Sequence, residues 1–563
     1  MQKSEYSSGP STSAMAIKST LQTENEGKDK DMDMDMTNRT AVDLDDSQSG
    51  KTPKPLTGLT LLALMASITL AAFLLLLDAS IVATAVPKIT GQFHSLDQVG
   101  WYGTAYLAAN CACQPLTGKI YTFFSIKWTY LTFFALFEIG SALCGGATSS
   151  NMLIVGRAVA GLGGSGLLNG SYTIIAATLP VAKQPSYRGI LMGLAILGLV
   201  GGPLIGGVLT EYASWRWCFL INLPCGGVVA LFLILIPIPD MGATSDGKQT
   251  VLGRLRRLDL IGFVLFAPTM LMLIFALEWG GVNYAWKSAM IIGLFCGSFG
   301  NLLVFIAWEH RMGSGAMIPL ALIRRRVIWS SCLNMAFMVG CTMVITYYFP
   351  IYFQAVRGAS PTQSGVDMLP QILSNMIITI ITGILVGRVG YYVPFSLASG
   401  ICMSIGSGLI STITATSPNA PRIGYQILQG AQGFGFQIPI LAVQDSIRRE
   451  EVSTAVAMVV FSQNFGGAIF LAIAEVIFSG QLRRELAIHA PDVNADVVIA
   501  AGTSAADVRA AVSPSMLPGV LVSYSKTFNH VTYLAVGAAC GVFVSATAMG
   551  WVRLRKEEDE EEA

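Results

Sequence analysis

Charge is what this chain has least of. Asp, Glu, Lys and Arg supply 12% of its 563 residues, where a soluble globular domain carries about a quarter. What charge there is crowds into residues 1–56, the last dozen positions and a few short spacers, leaving long stretches almost free of it. That distribution excludes a large soluble core and points to lipid as the solvent. The net charge of +1 leaves no basic field for nucleic acid. Histidine is rarer still: His94, His310, His489 and His530 all lie near expected loops, which disfavours metal handling. The ten cysteines fall in or beside apolar stretches without the spacing of a disulfide framework or zinc site, so they read as small packing residues. No GxxxxGK(S/T) loop is present, which argues against ATP drive. No nucleophile, base and metal ligands converge at one depth, so no catalytic residue, metal or cofactor is expected. Residues 1–50 lack a basic start followed by an apolar core, and the first helix is expected to act as an uncleaved signal.

What is abundant is apolar residues, 53% of the chain. They gather near 58–80, 100–121, 127–147, 152–175, 189–210, 217–237, 259–279, 289–309, 328–350, 367–387, 394–415, 424–443, 455–478 and 530–551. Each run is about 20 residues, enough at 1.5 Å per residue to cross a hydrocarbon layer of roughly 30 Å. Runs this long must be helices, because only helices or closed barrels satisfy their backbone in lipid and barrel strands are shorter. The expectation is an all-α polytopic protein with about fourteen spans. Lys and Arg set its orientation. With the amino terminus in the cytoplasm, the inner loops hold Lys119, Lys127, Lys183, Arg188, Arg254, Arg256, Arg257, Arg324, Arg325, Arg326, Arg388 and others. The outer loops hold only Lys88, Arg216, Lys287, Arg357 and Arg422. Both termini are then cytoplasmic.

A weak internal repeat divides the chain. Helix 1 is followed by Pro87, a polar loop and a helix ending at Gly118 before Lys119. Helix 9 is followed by Pro350, a similar loop and a helix ending at Gly383–Gly390 around Arg388. The domains expected are a disordered tail over 1–56, a first six-helix bundle over 57–237, and an inserted helix pair with basic inner loops over 238–327. A second six-helix bundle follows over 328–552, with an outer loop at 480–529, and then a charged tail over 553–563. Secondary transporters built from such repeats carry the substrate site at the repeat interface.

Four stretches carry chemistry: Leu77–Pro87 in and after helix 1, Gly156–Gly164 in helix 4, Gly198–Gly207 in helix 5, and Trp215–Pro224 entering helix 6. On these residues the chain, over roughly 57–555, resembles the major facilitator superfamily. More narrowly, it is similar to the fourteen-helix drug:proton antiporters common among fungal toxin and multidrug efflux pumps. The resemblance implies that Asp78 is the acidic position of the first-helix motif and Arg157 the fourth-helix arginine associated with proton coupling. Gly198, Gly202, Pro203, Gly206 and Gly207 match the antiporter motif GxxxGPxxGG, whose bend is implied to seal the inner side and disfavour uniport. Pro350–Gln354 and Gln429–Gly435 also read like fungal members. The loop between helices 2 and 3 departs from the family: Thr122 stands where an Asp is usual and Phe123 where an Arg is usual. The resemblance therefore does not extend to the charge latch that this loop provides in many relatives.

An ionised group in mid-bilayer costs roughly 2.5–3.5 kcal/mol on insertion scales, so it faces a partner or a cavity. Arg157 is expected to interact with a carboxylate, Asp78 above all, either tuning its proton uptake or forming a permanent pin between helices 1 and 4. Glu138 and Glu475 are the other intramembrane carboxylates, each able to bind a proton or cation or to sit protonated against a neighbour. Glu278 and Glu309 lie at helix ends and are read as snorkelling. The amides expected in mid-membrane include Asn110, Gln114, Gln371, Asn375, Gln429, Gln432 and Asn464, with Gln429 and Gln432 on one helical face. They admit two readings, interhelical hydrogen bonds or the lining of a substrate cavity. The sequons at Asn38 and Asn169 fall on the tail and inside helix 4, and neither is expected to be modified.

The reading implied is a monomeric, plasma-membrane exporter of small organic molecules, namely drugs, toxins or secondary metabolites, in exchange for protons. Its partners would be substrate, protons and lipid, with no nucleic acid. The same fold carrying a siderophore or vacuolar amino acid is the alternative, the latter in a vacuolar membrane; a membrane-embedded receptor or enzyme is a remote one.

Overall fold

A computed structural model describes residues 58–94, 98–180, 183–240, 251–281, 284–495, 498 and 512–551. The expected tails at 1–56 and 553–563 lie outside the described residues, as does the sequon at Asn38.

Every one of the fourteen apolar runs is helical. The spans are α1 (Gly58–Phe93), α2 (Val99–Phe123), α3 (Ile126–Gly145), α4 (Ser150–Thr178), α5 (Gln184–Tyr212), α6 (Asn222–Leu235) and α7 (Leu260–Trp279). They continue as α8 (Ala289–Met312), α9 (Arg326–Ile351), α10 (Leu369–Val389), α11 (Val393–Ile410), α12 (Asn419–Gly430), α13 (Val452–His489) and α14 (Leu517–Ala548). Side-chain caps satisfy several helix starts: Ser149 accepts from the Met152 amide, Asp259 from Gly262 and Ser288 from Ile291. Gly390, at φ 75°, closes α10 in the left-handed conformation that favours glycine. Large apolar side chains such as Leu231, Val264, Phe299, Val304 and Val544 lie exposed on the outside, while Asp78, Arg157, Asn169 and Gln429 are buried. Apolar-out with polar-in is the arrangement a lipid solvent imposes.

In the first bundle α1 packs along α5, α3 along α4, and α2 along α4; in the second, α9 packs on α13 and α14, and α11 on α14. The pair α7 and α8 pack on each other and lean on α2. The fold is thus two six-helix bundles plus an inserted pair. Two seams join the bundles, α5 against α10 and α2 against α13. The starts of α5, α9 and α13 meet the ends of α10 and α14, through Ser186 on the Gly383 carbonyl, Arg325 on Glu451 at 3.5 Å and Arg326 on the Thr547 carbonyl; this is here called the basic end.

Helix ends depart from the expected boundaries. α13 continues to His489 and α14 begins at Leu517, so the segment between them is shorter than the 480–529 loop read from hydropathy. Apolarity marks where lipid stops, whereas a helix satisfies its own backbone and continues into water past Arg483 and Arg484. The part of this segment over 499–511 lies outside the described residues. The twelfth run is also not one regular helix. After α12 comes a tight 3-10 turn at Ala431–Phe434, and the chain resumes helix at Ile438–Ser446. Glycine allows this close passage: a Cβ on Gly433 would meet the Asn375 carbonyl at 2.6 Å and the Thr379 amide at 2.7 Å.

Candidate functional site

Five helices of the first bundle converge on one ion pair. Arg157 on α4 donates through Nη1 to Asp78 Oδ2 at 2.6 Å and through Nε to the Tyr102 carbonyl of α2 at 2.9 Å. Both residues are 1% exposed. The guanidinium also lies over the Tyr106 ring, 4.5 Å from its centroid, with Phe219 at 5.9 Å. Asn222, the first residue of α6, donates to the second Asp78 oxygen at 3.3 Å and to Ser141 Oγ of α3 at 3.0 Å. The carboxylate is thereby held between a cation and an amide, one on each oxygen. Breaking such a buried pair by removing one partner costs about 3–5 kcal/mol.

The glycines of α5 set the depth at which α1 carries Asp78. Gly198, Gly202 and Gly206 lie one turn apart and face α1. A Cβ on Gly198 would meet the Leu77 amide at 3.0 Å, and one on Gly202 would strike Ser80 and approach the Ile81 amide at 2.9 Å. A Cβ on Gly206 would reach Ile81 Cγ1 at 2.7 Å and also strike Thr84. Small residues at this spacing let two backbones touch. Gly207 differs: nothing lies within 4 Å of its Cβ position. α5 is continuous across Pro203, whose side chain lies outside the described residues.

Glu138 lies on α3 against α6, where a Cβ on Gly226 would meet its Cδ at 2.5 Å. Neither Glu138 oxygen has a hydrogen-bond partner. A carboxylate without a donor is costly to ionise away from water.

At the α2–α13 seam, Asn464 donates to Asn110 Oδ1 at 3.2 Å and to Gln114 Oε1 at 2.6 Å, while Gln114 donates to the Ser165 carbonyl at 3.3 Å. Two of the expected cavity residues are thus joined across the bundles by a third amide. In the second bundle Gln429, fully buried, accepts from Ser407 at 2.8 Å and contacts Cys341 Sγ at 3.4 Å. Gln432 accepts from Thr342, and its carbonyl accepts from Ser399 at 3.1 Å. Asn375 accepts from Thr379 at 3.3 Å; Gln371 is buried with Oε1 unpartnered. Glu475 accepts from the Tyr348 hydroxyl at 2.7 Å and from Ser479 at 3.3 Å. Asn110, Gln114 and Asp78 therefore belong to the first bundle, and Gln371, Asn375, Gln429, Gln432 and Glu475 to the second, with no single cluster containing them all.

Two expectations change. Glu309 was read as snorkelling, but it is 1% exposed and accepts from the Ile318 amide at 2.9 Å, because α8 ends folded over α7 rather than at open water. Its neighbour Asp259 accepts from Trp308 at 2.8 Å and from the Met317 amide at 3.1 Å. Lys119 of α2 is buried beside Glu309, Asp259 and Glu451, attracted to all three. Burial disfavours the charge on Lys119 more than these three carboxylates favour it. Asn222 was missed as a site residue; its one signal was an amide opening helix 6 inside the Trp215–Pro224 run. Asn169, the second sequon, is fully buried and donates to Thr117 at 3.1 Å. All ten cysteines are free.

Residues 68–471 match the family model for the Major Facilitator Superfamily. The chain is 51% identical over 503 residues to the MFS-type transporter pigP of Monascus ruber, covering 89% of this chain and 88% of the relative. It is 48% identical to the efflux pump mlcE of Penicillium citrinum, covering 90% and 92%. Among solved structures, a double-tryptophan variant of XylE superposes with TM-score 0.59 at 14% identity, over 88% of this chain and 97% of that one. A match of this extent, on two six-helix bundles, establishes that the chain is a multi-pass membrane transporter belonging to the major facilitator superfamily.

Proposed function

We propose that this transporter exports small organic molecules of the toxin, drug or secondary-metabolite class from the cytoplasm in exchange for protons, by alternating access of the two bundles. The basic end faces the cytoplasm, both termini included, and the membrane is the plasma membrane. One copy carries the whole path, with the bundles taken as 57–237 and 328–552 and the inserted pair between them. The observation that carries the reading is the buried Asp78–Arg157 pair. A proton arriving at Asp78 cancels the carboxylate and leaves Arg157 without its counter-charge, a state the closed bundle disfavours. Proton binding and helix movement are thereby linked. The α5 glycine stripe bears on the same turn of α1, so displacement of α1 and the charge state of Asp78 act on one surface. The outward direction is supported by relatives whose names call them efflux pumps.

The drive is sufficient. One proton entering at 100 mV contributes about 2.3 kcal/mol, and two pH units add roughly 2.7 kcal/mol. Together they support a substrate gradient on the order of several thousandfold.

The test is accumulation of a panel of fluorescent drugs and fungal toxins in inside-out vesicles, with and without an imposed proton gradient. Accumulation that collapses with a protonophore supports antiport. Accumulation indifferent to the gradient removes the antiport claim and leaves a facilitator.

A further inference from the structure

The two carboxyls that tie the inserted pair together also meet each other. Asp259, the cap of α7, is 4% exposed, and Glu309, near the end of α8, is 1% exposed. Asp259 uses both oxygens on donors. Its Oδ1 accepts from the Gly262 amide and the Trp308 indole, each at 2.8 Å, and its Oδ2 accepts from the Met317 amide at 3.1 Å. Glu309 spends Oε2 on the Ile318 amide at 2.9 Å, while its Oε1 is buried without a donor. That orphaned oxygen is turned towards Asp259. A Cβ on Gly262 would lie 2.3 Å from Asp259 Oδ2 and 2.9 Å from Glu309 Oε1, and the two side chains are within hydrogen-bonding reach.

Two carboxylates in contact away from water resist being ionised together, because like charge and burial both oppose the second ionisation. A buried acceptor facing another acceptor is costly as well. One proton removes both costs, since a protonated carboxyl donates and an ionised one accepts. We propose that Asp259 and Glu309 bind one proton between them, at a site separate from Asp78. Asp259, with three donors around it, is the better anion, so the proton resides on Glu309 Oε1 and is donated to Asp259 Oδ2. The pair then carries a single negative charge. Lys119 of α2 faces it, and Glu451, which also faces Lys119, has Arg325 at 3.5 Å. Arg257, two positions before Asp259, and His310 and Arg311, next after Glu309, are exposed.

The site sits where the inserted pair joins both bundles. Met317 and Ile318, whose amides the two carboxyls hold, belong to the passage from α8 to α9 and so into the second bundle. Lys119 belongs to the first bundle, and Thr122 beyond it contacts Thr454 of α13 at 3.4 Å. The bound proton therefore fastens the pair at this junction, and its loss leaves two buried charges facing each other. An unfolded chain ionises both carboxyls above about pH 4. The fastening therefore contributes fully in acid and less as pH rises. None of this depends on the antiport reading.

The experiment is thermal unfolding of the purified full chain against pH, beside an infrared titration of its protonated carboxyls. Glu309→Gln replaces the protonated acid by an amide that can donate to Asp259 and accept from Ile318 at every pH. The unfolding temperature of the variant, relative to wild type, is expected to climb by about 4 °C between about pH 5 and about pH 8. One carboxyl carbonyl band that titrates in the wild type is expected to be missing from the variant. Should Glu309→Gln not fold, Asp259→Asn removes the like-charged neighbour and is expected to move that band's disappearance to lower pH. A temperature gap that stays flat or closes as pH rises, or an infrared titration that neither variant alters, overturns the proposal and leaves both carboxyls ionised.

Discussion

In the first bundle the buried polarity is ionic: Asp78 and Arg157 meet at 2.6 Å with both side chains out of solvent. In the second much of it is held in amides and hydroxyls, with Gln429 on Ser407 and Gln432 on Thr342, beside the Glu475 carboxylate under the Tyr348 hydroxyl and the looser Arg422–Asp367 pair at 3.9 Å. The physical consequences differ. A dipole network changes little when a proton arrives nearby, whereas an ion pair changes by a whole charge. On the proposed antiport reading, the first bundle responds to protons and the second holds shape or offers amides and hydroxyls to an uncharged cargo.

The contrast can be broken most severely at Arg157. Arg157→Ala leaves Asp78 buried with only Asn222 beside it, and a loss of about 3–5 kcal/mol is expected. Transport should vanish and thermal unfolding shift strongly downward, while Asp78→Asn with Arg157→Gln together should restore much of the stability without restoring gradient-driven transport. Next in size is the stripe beneath the pair. Gly202→Leu forces α5 away from Ser80 and Ile81 and should abolish transport, whereas Gly207→Ala, which meets nothing within 4 Å, should transport like wild type in the same vesicles. Smallest is the dipole network. Gln429→Ala leaves Ser407 and Cys341 short of a partner and should cost about 1–2 kcal/mol in unfolding. It should leave the protonophore sensitivity of residual transport unchanged. A Gln429 variant that uncoupled transport from protons would erase the contrast between the bundles.

The fold was legible because lipid makes apolarity and length nearly sufficient: each of the fourteen runs is helical, the twelfth as two helices about a 3-10 turn. Asp78 and Arg157 were legible for the same reason, since a charge far from water must have a partner. Asn222 was not, because a neutral amide carries little cost in the sequence and its contact with Asp78 spans 144 positions. Arg188 was misread in kind. Counted among loop charges, it is fully buried, because the start of α5 tucks under α10 and no local pattern announces that packing. The break after α12 was not read from the sequence, although Gly430, Gly433 and Gly435 cluster there; the Asn375 carbonyl beside it accounts for Gly433.

The central claim is that Asp78 couples movement to protons without being needed for movement itself. Its most direct test is to compare gradient-driven accumulation with substrate counterflow, which needs no gradient, in wild-type protein and Asp78→Asn. The account predicts that the variant loses gradient-driven accumulation at least tenfold while keeping counterflow. Accumulation that survives in the variant and still collapses with a protonophore would contradict it and move the coupling site to another carboxylate.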